Sequence, residues 1–372
     1  MKNSFNSNTM KKTMLGVSLL LTSVVTLTAC GGSGSESASG VDPVEKYGSN
    51  TLKLYNWGEY MGEDLISNFQ DEFGVKVVVE YFDSNEMMYT KLKAGDAYDV
   101  LVPSDYMIER LMNENMLQEL DQTLLPNITN LAGGVTNLPY DPTNAYSVPY
   151  FWGNVGIVYN HENVATADVE ALGFDILKDT THAGNIYVYD SERDSFMMAL
   201  KALGYSMNTE DDDEINAAYE WLLELNATMS PAYVTDEVID GMISGNKDIA
   251  VVYSGDATYI LEENEEMSFA LPESGTNLWS DSMVVPANAE NPLLAHEFIN
   301  YVLTYDASYD NSDTVGYAST NQEVLDDLSA GDYSENEAYL PRTDNANDEV
   351  FRDNMVLKEK LSNLWLRVKA AS

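Results

Sequence analysis

Cysteine is all but absent. The chain of 372 residues carries only Cys30, so no internal disulfide and no cysteine zinc site can form. Histidine is nearly as scarce. His161, His182 and His296 are scattered and lack the H-E-x-x-H spacing of a zinc protease. Basic residues are few, with 19 Lys+Arg against 61 Asp+Glu, a formal net charge of −42. Such a chain repels phosphate backbones, which argues against a nucleic-acid partner. It concentrates cations, organic polycations among them, although acidity of this size also serves solubility alone. No repeat of solenoid spacing is present. The nucleophile elbow is missing too: Gly241-Met242-Ile243-Ser244-Gly245 does not have the G-x-S-x-G spacing.

Long apolar runs are also lacking. The longest uncharged one, residues 14–28, falls short of the roughly twenty residues of a membrane span. It follows the positive residues Lys2, Lys11 and Lys12 and ends in Leu27-Thr28-Ala29-Cys30-Gly31. Positive start, apolar middle and small-residue end make an export signal. The last five residues resemble the bacterial lipobox, which implies lipidation at Cys30. Residues 1–30 are therefore expected to be a lipoprotein signal peptide. The Gly/Ser-rich stretch that follows reads as a flexible tether over 31–49. The working body is expected from residue 50.

In the body, residues 51–56 read as a strand, 64–73 as a helix stopped by Gly74, and 75–82 as a β-branched strand. Ser84 caps a helix through Lys93 that Gly95 ends, 98–102 form a strand, and a helix runs through Met112. Strands alternating with helices predict a parallel sheet with covering helices, an α/β fold. Residues 146–159 are extended but broken up by Pro149, Gly153 and Gly156, as suits a crossing between lobes. Further strands are expected at 186–189, 249–253 and 283–285, and helices at 214–225 and 292–303. The acids Asp211 to Glu214 lie at a helix start, where they suit the helix dipole and lack calcium-loop spacing.

In open α/β sheets, ligands bind beyond the carboxyl ends of strands. Those ends carry Trp57-Gly58-Glu59-Tyr60, Pro103-Ser104-Asp105-Tyr106, Asp190-Ser191-Glu192-Arg193-Asp194 and Tyr253-Ser254-Gly255-Asp256. Trp279-Ser280-Asp281 is expected ahead of the 283–285 strand. Aromatic rings recur beside carboxylates. Ring faces attract ammonium groups, by about 0.5–2 kcal/mol each, and stack on methylenes. Carboxylates pair with ammonium hydrogens. A flexible methylene chain carrying several ammonium groups uses both, and a sugar would use the same residue types. An anion would want Arg or Lys at these ends.

Several motifs resemble the periplasmic spermidine/putrescine-binding proteins of ABC importers. They are Tyr55-Asn56-Trp57-Gly58-Glu59-Tyr60, Ser84-Asn85-Glu86, Tyr98-Asp99-Val100-Leu101-Val102-Pro103-Ser104, and Tyr146-Ser147-Val148-Pro149-Tyr150-Phe151-Trp152-Gly153. Trp279-Ser280-Asp281-Ser282, Pro286-Ala287-Asn288-Ala289 and Val315-Gly316-Tyr317 also match, so the likeness spans residues 51–366. The resemblance implies a two-lobed periplasmic-binding-protein fold (type II-like), with hinge strands and an interlobe ligand cleft. The lobes would be 50–148 plus 279–322, and 149–278 plus 323–372. Trp57, Tyr60, Tyr106, Trp279 and Tyr317 would form an aromatic box, with Tyr253 where spermidine-type members carry tryptophan. Glu59, Asp194 and Asp281 would pair with ammonium groups, with Ser104 beside the ligand. A second family acid falls at Ser191, with Asp190 next to it as the candidate. A family glutamine falls near Arg352, and that contact is not carried over. Glu59, Tyr106 and Trp279 resemble the spermidine-preferring branch.

The implied role is that of an extracytoplasmic, lipid-anchored, monomeric binding protein, not an enzyme. It would need no cofactor or metal, would close on a polyamine, and would serve permease subunits with a cytoplasmic ATPase. A clamp for another metabolite such as a sugar, a secreted hydrolase, or a polyamine sensor are the competing readings.

Overall fold

The computed structural model describes residues 42–371. The export signal, Cys30 and the first part of the expected tether lie outside them. Ten strands form the sheet: β1 (Thr51–Trp57), β2 (Lys76–Phe82), β3 (Val100–Leu101), β4 (Ser147–Asn160), β5 (Ile186–Tyr189), β6 (Ala232–Val234), β7 (Ile249–Tyr253), β8 (Met267–Ala270), β9 (Leu278–Val284) and β10 (Ala318–Ser319). Their order is β2-β1-β3-β9-β4-β7-β5-β6, with β8 and β10 also on β4. Pairing is parallel among β2, β1 and β3, and among β6, β5 and β7. Between these two parallel units run the antiparallel β9 and β4. The α/β expectation holds, and helices cover each unit as parallel strands require.

β4 links the units. Its first half pairs with β9, and its second half pairs with β7 and β8. It is buried along its whole length. The expectation that proline and glycine interrupt this segment needs correction, because the strand is continuous. Pro149 has no N–H to give a ladder, and the register shifts between Pro149 and Phe151. Gly153 serves close approach instead: a Cβ there would lie 2.8 Å from Trp279 Cζ2.

Local signals set most boundaries. Ser84 Oγ accepts from Met87 N at 3.2 Å and opens the helix Asn85–Ala94, which Gly95 closes in the left-handed region at φ 99°. Gly74 ends Leu65–Phe73 in the same way. That helix buries Phe69 edge-on against Phe298 of the helix Pro292–Val302, with ring centroids 5.0 Å apart.

Several expected boundaries move: the strand expected at 98–102 shrinks to Val100–Leu101, the helix expected at 214–225 extends over Asp212–Met229, and two further shifts bear on the body and the site. The tether was expected to reach residue 49, but Pro43–Tyr47 is a short helix capped by Asp42, whose side chain accepts from Val44 N. Tyr47 is buried and donates to Glu297 Oε2 at 3.1 Å, so the folded body reaches back to Asp42. The strand expected at 283–285 is β9 and starts at Leu278. Polar Ser280, Asp281 and Ser282 hid its first half from a hydrophobicity pattern.

Candidate functional site

The two-residue period of a strand puts Trp279 and Asp281 on one face of β9. The opposite face carries Ser282, whose Oγ shares a 3.1 Å hydrogen bond with Tyr140 Oη. Trp279 stands edge-on to Tyr317, at 5.1 Å between centroids, and to Tyr253, at 6.0 Å. Tyr317 in turn meets Tyr60 edge-on at 5.6 Å. Gly255 makes room for Tyr317, because a Cβ there would overlap the ring.

Each tyrosine in this chain of rings donates to a carboxylate. Tyr60 bonds Asp281 Oδ2 at 2.9 Å, Tyr317 bonds Asp256 Oδ1 at 2.9 Å, and Tyr253 bonds Asp194 Oδ2 at 2.8 Å. Tyr189, whose ring lies 4.9 Å from Tyr253, also donates to Asp256. Three acids from three elements thus surround a run of touching aromatic rings.

Burial pushes Asp281 up to about 6, against the hydrogen bonds from Ser104 and Tyr60 that pull it down. Burial likewise raises Asp256 to about 6 and lifts Asp194 above its ordinary value, against the pull of Ser191, Tyr253 and Arg193. The hydroxyls of Tyr60, Tyr253 and Tyr317 are held well above their ordinary value, by burial first and then by the adjacent carboxylates. The tyrosines therefore stay protonated and donate. Asp194 Oδ1 and the indole Nε1 of Trp279 are buried without a hydrogen-bond partner among the described residues. Buried acids whose charge the protein leaves uncompensated favour a bound cation.

The other expected residues lie around this core or apart from it. Asn85 ties Ser104 to Tyr106: its Nδ2 donates to Ser104 Oγ at 3.0 Å and to Tyr106 Oη at 3.1 Å. Ser104 bridges the backbone of Asp281. Trp57 packs its ring on Phe82 and donates Nε1 to Val102 O at 2.9 Å, so its ring is held by β1's own surroundings. Glu59 is exposed, in the left-handed region at φ 50°, and its side chain makes no hydrogen bond or ion pair among the described residues.

Asp190 needs correction. It turns away from the rings, accepting from Trp365 Nε1 at 3.1 Å and from Lys369 Nζ at 2.7 Å, so its charge is already matched. Ser191 is a helix cap, with Oγ accepting from Asp194 N at 3.3 Å. It fixes the start of the helix Glu192–Ala202, which carries Arg193 and Asp194. Arg352 points out to Glu109, with Nε 3.0 Å from Oε2. The selection of site residues missed Asp256, Tyr189 and Asn85. Asp256 was legible as the acid three residues beyond Tyr253. Asn85 lies inside the Ser84-Asn85-Glu86 motif. Tyr189 gave no signal distinct from a core strand residue.

Two α/β units joined by a buried strand, with buried acids and rings gathered beside that junction, define a solute-binding protein. The model of the bacterial extracellular solute-binding protein family matches residues 64–341, and the chain belongs to that family. Its members are binding proteins and not enzymes, and they work outside the cytoplasm. The chain is 35% identical over 286 residues to the spermidine/putrescine-binding periplasmic protein of Escherichia coli, covering 76% of this chain and 81% of that one. The solved spermidine/putrescine ABC transporter substrate-binding protein PotD of Streptococcus pneumoniae superposes with TM-score 0.77 at 35% identity, covering 87% of this chain and 99% of that one. The Tp0655 (TpPotD) lipoprotein of Treponema pallidum does so with TM-score 0.73 at 25% identity, covering 86% and 99%.

Proposed function

We propose that this chain captures a polyamine, spermidine or putrescine, and delivers it to an ABC importer. The observation that carries this reading is the triple tyrosine–carboxylate array around Trp279. It offers ring faces for methylenes and ammonium groups, and buried acids for charge-assisted hydrogen bonds. The names of the relatives point to the same ligands. The residues assigned to the ligand are Tyr60, Tyr253, Trp279 and Tyr317 with Asp194, Asp256 and Asp281. Trp57, Glu59 and Ser104 border the ligand from the β1 and β3 ends, with Tyr106 at the edge of the site.

Closure takes place between two lobes, 42–148 plus 279–322, and 149–278 plus 323–372, about β4 and β9. A ligand favours the closed form only through contacts tighter there than in the open one. Acids contributed by both units meet that condition: Asp281 lies on β9, whereas Asp194 and Asp256 follow β5 and β7. The closed form is what the permease subunits, driven by a cytoplasmic ATPase, recognise. Lipidation at Cys30 holds the protein at the membrane. The lipobox-like Leu27-Thr28-Ala29-Cys30 and the lipoprotein relative support that anchor.

The test is calorimetric titration of the full chain with spermidine, putrescine, spermine and a neutral sugar. One-to-one binding of a polyamine, weakened by salt and absent for the sugar, is expected. A folded sample that binds no polyamine overturns the reading. For the anchor, Cys30→Ser should move the protein from the membrane fraction to the soluble one.

A further inference from the structure

At the Tyr106 end of the site stands a cation that belongs to the protein. The guanidinium of Arg193 lies over the Tyr106 ring, 3.8 Å from its centroid, and 5.8 Å from that of Phe351. Tyr106 begins on the helix Asp105–Asn113 beyond β3, while Arg193 comes from the helix beyond β5, so the contact joins the two units. In a chain of net charge −42, Arg193 has no carboxylate within ion-pair distance among the described residues. Its Nη2 is buried without a partner, and so is Oδ2 of the neighbouring Asp105, which is 1% exposed.

A guanidinium stacked on a ring occupies the face that an ammonium group would otherwise take. It also repels a second cation brought alongside it, and the more strongly the less water is present. The ring faces around Trp279 carry no such cation. The acids Asp194, Asp256 and Asp281 are paired with the tyrosine hydroxyls there, and of these Asp194 also feels the adjacent Arg193.

We propose that Arg193 is a specificity-determining residue that sets the register and maximum length of the bound polyamine, by filling the Tyr106 face with the protein's own positive charge. The ligand's ammonium groups are thereby confined to Asp194, Asp256 and Asp281. A longer chain with a further ammonium group is turned away at Tyr106. Without the guanidinium, the Tyr106 ring and Asp105, whose carboxyl is held up at about 8 by burial until a cation beside it draws it down, together make one more ammonium subsite. This inference rests on the polyamine reading above.

The experiment compares spermine and spermidine affinities by calorimetry for the wild-type full chain, Arg193→Ala, Arg193→Lys and the double variant Arg193→Ala with Asp105→Asn. In Arg193→Ala the spermine-to-spermidine affinity ratio should rise about tenfold or more, the size of one ring-and-carboxylate contact. Arg193→Lys, which keeps the charge, should retain the wild-type ratio. Adding Asp105→Asn should cancel most of the rise. If Arg193→Ala fails to fold, Arg193→Gln removes the charge while keeping most of the length, and carries the same expectation. An unchanged ratio in a folded, uncharged variant overturns the proposal. So does an equal rise in Arg193→Lys, because size and not charge would then set the limit. Loss of polyamine binding in the wild type would sink the polyamine reading itself, an outcome visible before any variant is compared.

Discussion

The Tyr60 hydroxyl and the Asp281 carboxylate, 221 positions apart in the chain, meet at 2.9 Å. One lies just beyond β1 and the other within β9, with β3 between them in the sheet. The bond places a buried acid under a protonated donor, and Tyr317 carries the contact on from Tyr60 to Trp279.

Trp279 is the ring shared by Tyr253 and Tyr317. Trp279→Ala should weaken spermidine binding about tenfold or more, since it removes both a ring face and the packing that positions two tyrosines. Calorimetry reads the affinity, and circular dichroism checks that the fold persists. An unchanged affinity in a folded variant would remove Trp279 from the site.

Polyamine affinity should fall on acidification. Asp256 and Asp281 protonate at about 6 in the empty site, while amine groups of ordinary basicity remain charged. Below that pH, binding must first expel protons. The expected loss approaches about tenfold per pH unit for each acid that must ionise. Titrations at pH 7.5, 6.5 and 5.5 at constant salt measure it, and a flat profile would contradict the assigned acids.

The same burial costs stability, with a sign that can be worked out. Asp281 is raised from 3.8 in the unfolded chain to about 6 in the fold. The raised value means that ionising it in the fold is penalised. The penalty is full above about pH 6 and vanishes as pH falls toward 4. Asp281→Asn should therefore make the empty protein more stable than wild type at pH 7.5, by about 1–3 kcal/mol. The two should converge near pH 4. Urea midpoints across that range provide the comparison.

Ion pairs in this chain should differ widely in weight. Arg110 is 4% exposed and bonds Asp353 through Nε at 3.0 Å and Nη2 at 2.9 Å. Arg110→Ala strands that carboxylate and should cost about 3–5 kcal/mol. Lys53 and Glu290 approach to 2.9 Å but are 42% and 61% exposed. Lys53→Ala should change stability by less than about 1 kcal/mol. Chemical denaturation of both variants decides it.

Much of the architecture was legible because its signals are local. Gly74, Ser84 and Gly95 mark helix ends through their own backbone freedom or side-chain reach, and they do so in the structure. β9 was cut short because its polar residues face neighbouring strands and buried partners, which a period of apolar residues does not register. Pro149 and Gly153 were read as interruptions, since their tolerance in a strand depends on what lies alongside. For Gly153 that neighbour is Trp279, from a distant segment.

By itself the sequence determined the alternation of strands and helices, the acidic charge, and the closeness of Trp279 and Asp281 in the chain. It also marked most of the strand ends where aromatic and acidic residues gather. Tertiary structure decided which of those residues meet. Asp190 and Asp194 are only four positions apart, yet one is neutralised by Lys369 on the C-terminal helix while the other is buried under Tyr253. Periodicity and capping act over a few residues. The partner of a side chain is set by strand order and by the packing of helices far away in the chain, so the array of Asp194, Asp256 and Asp281 exists only once the sheet has formed.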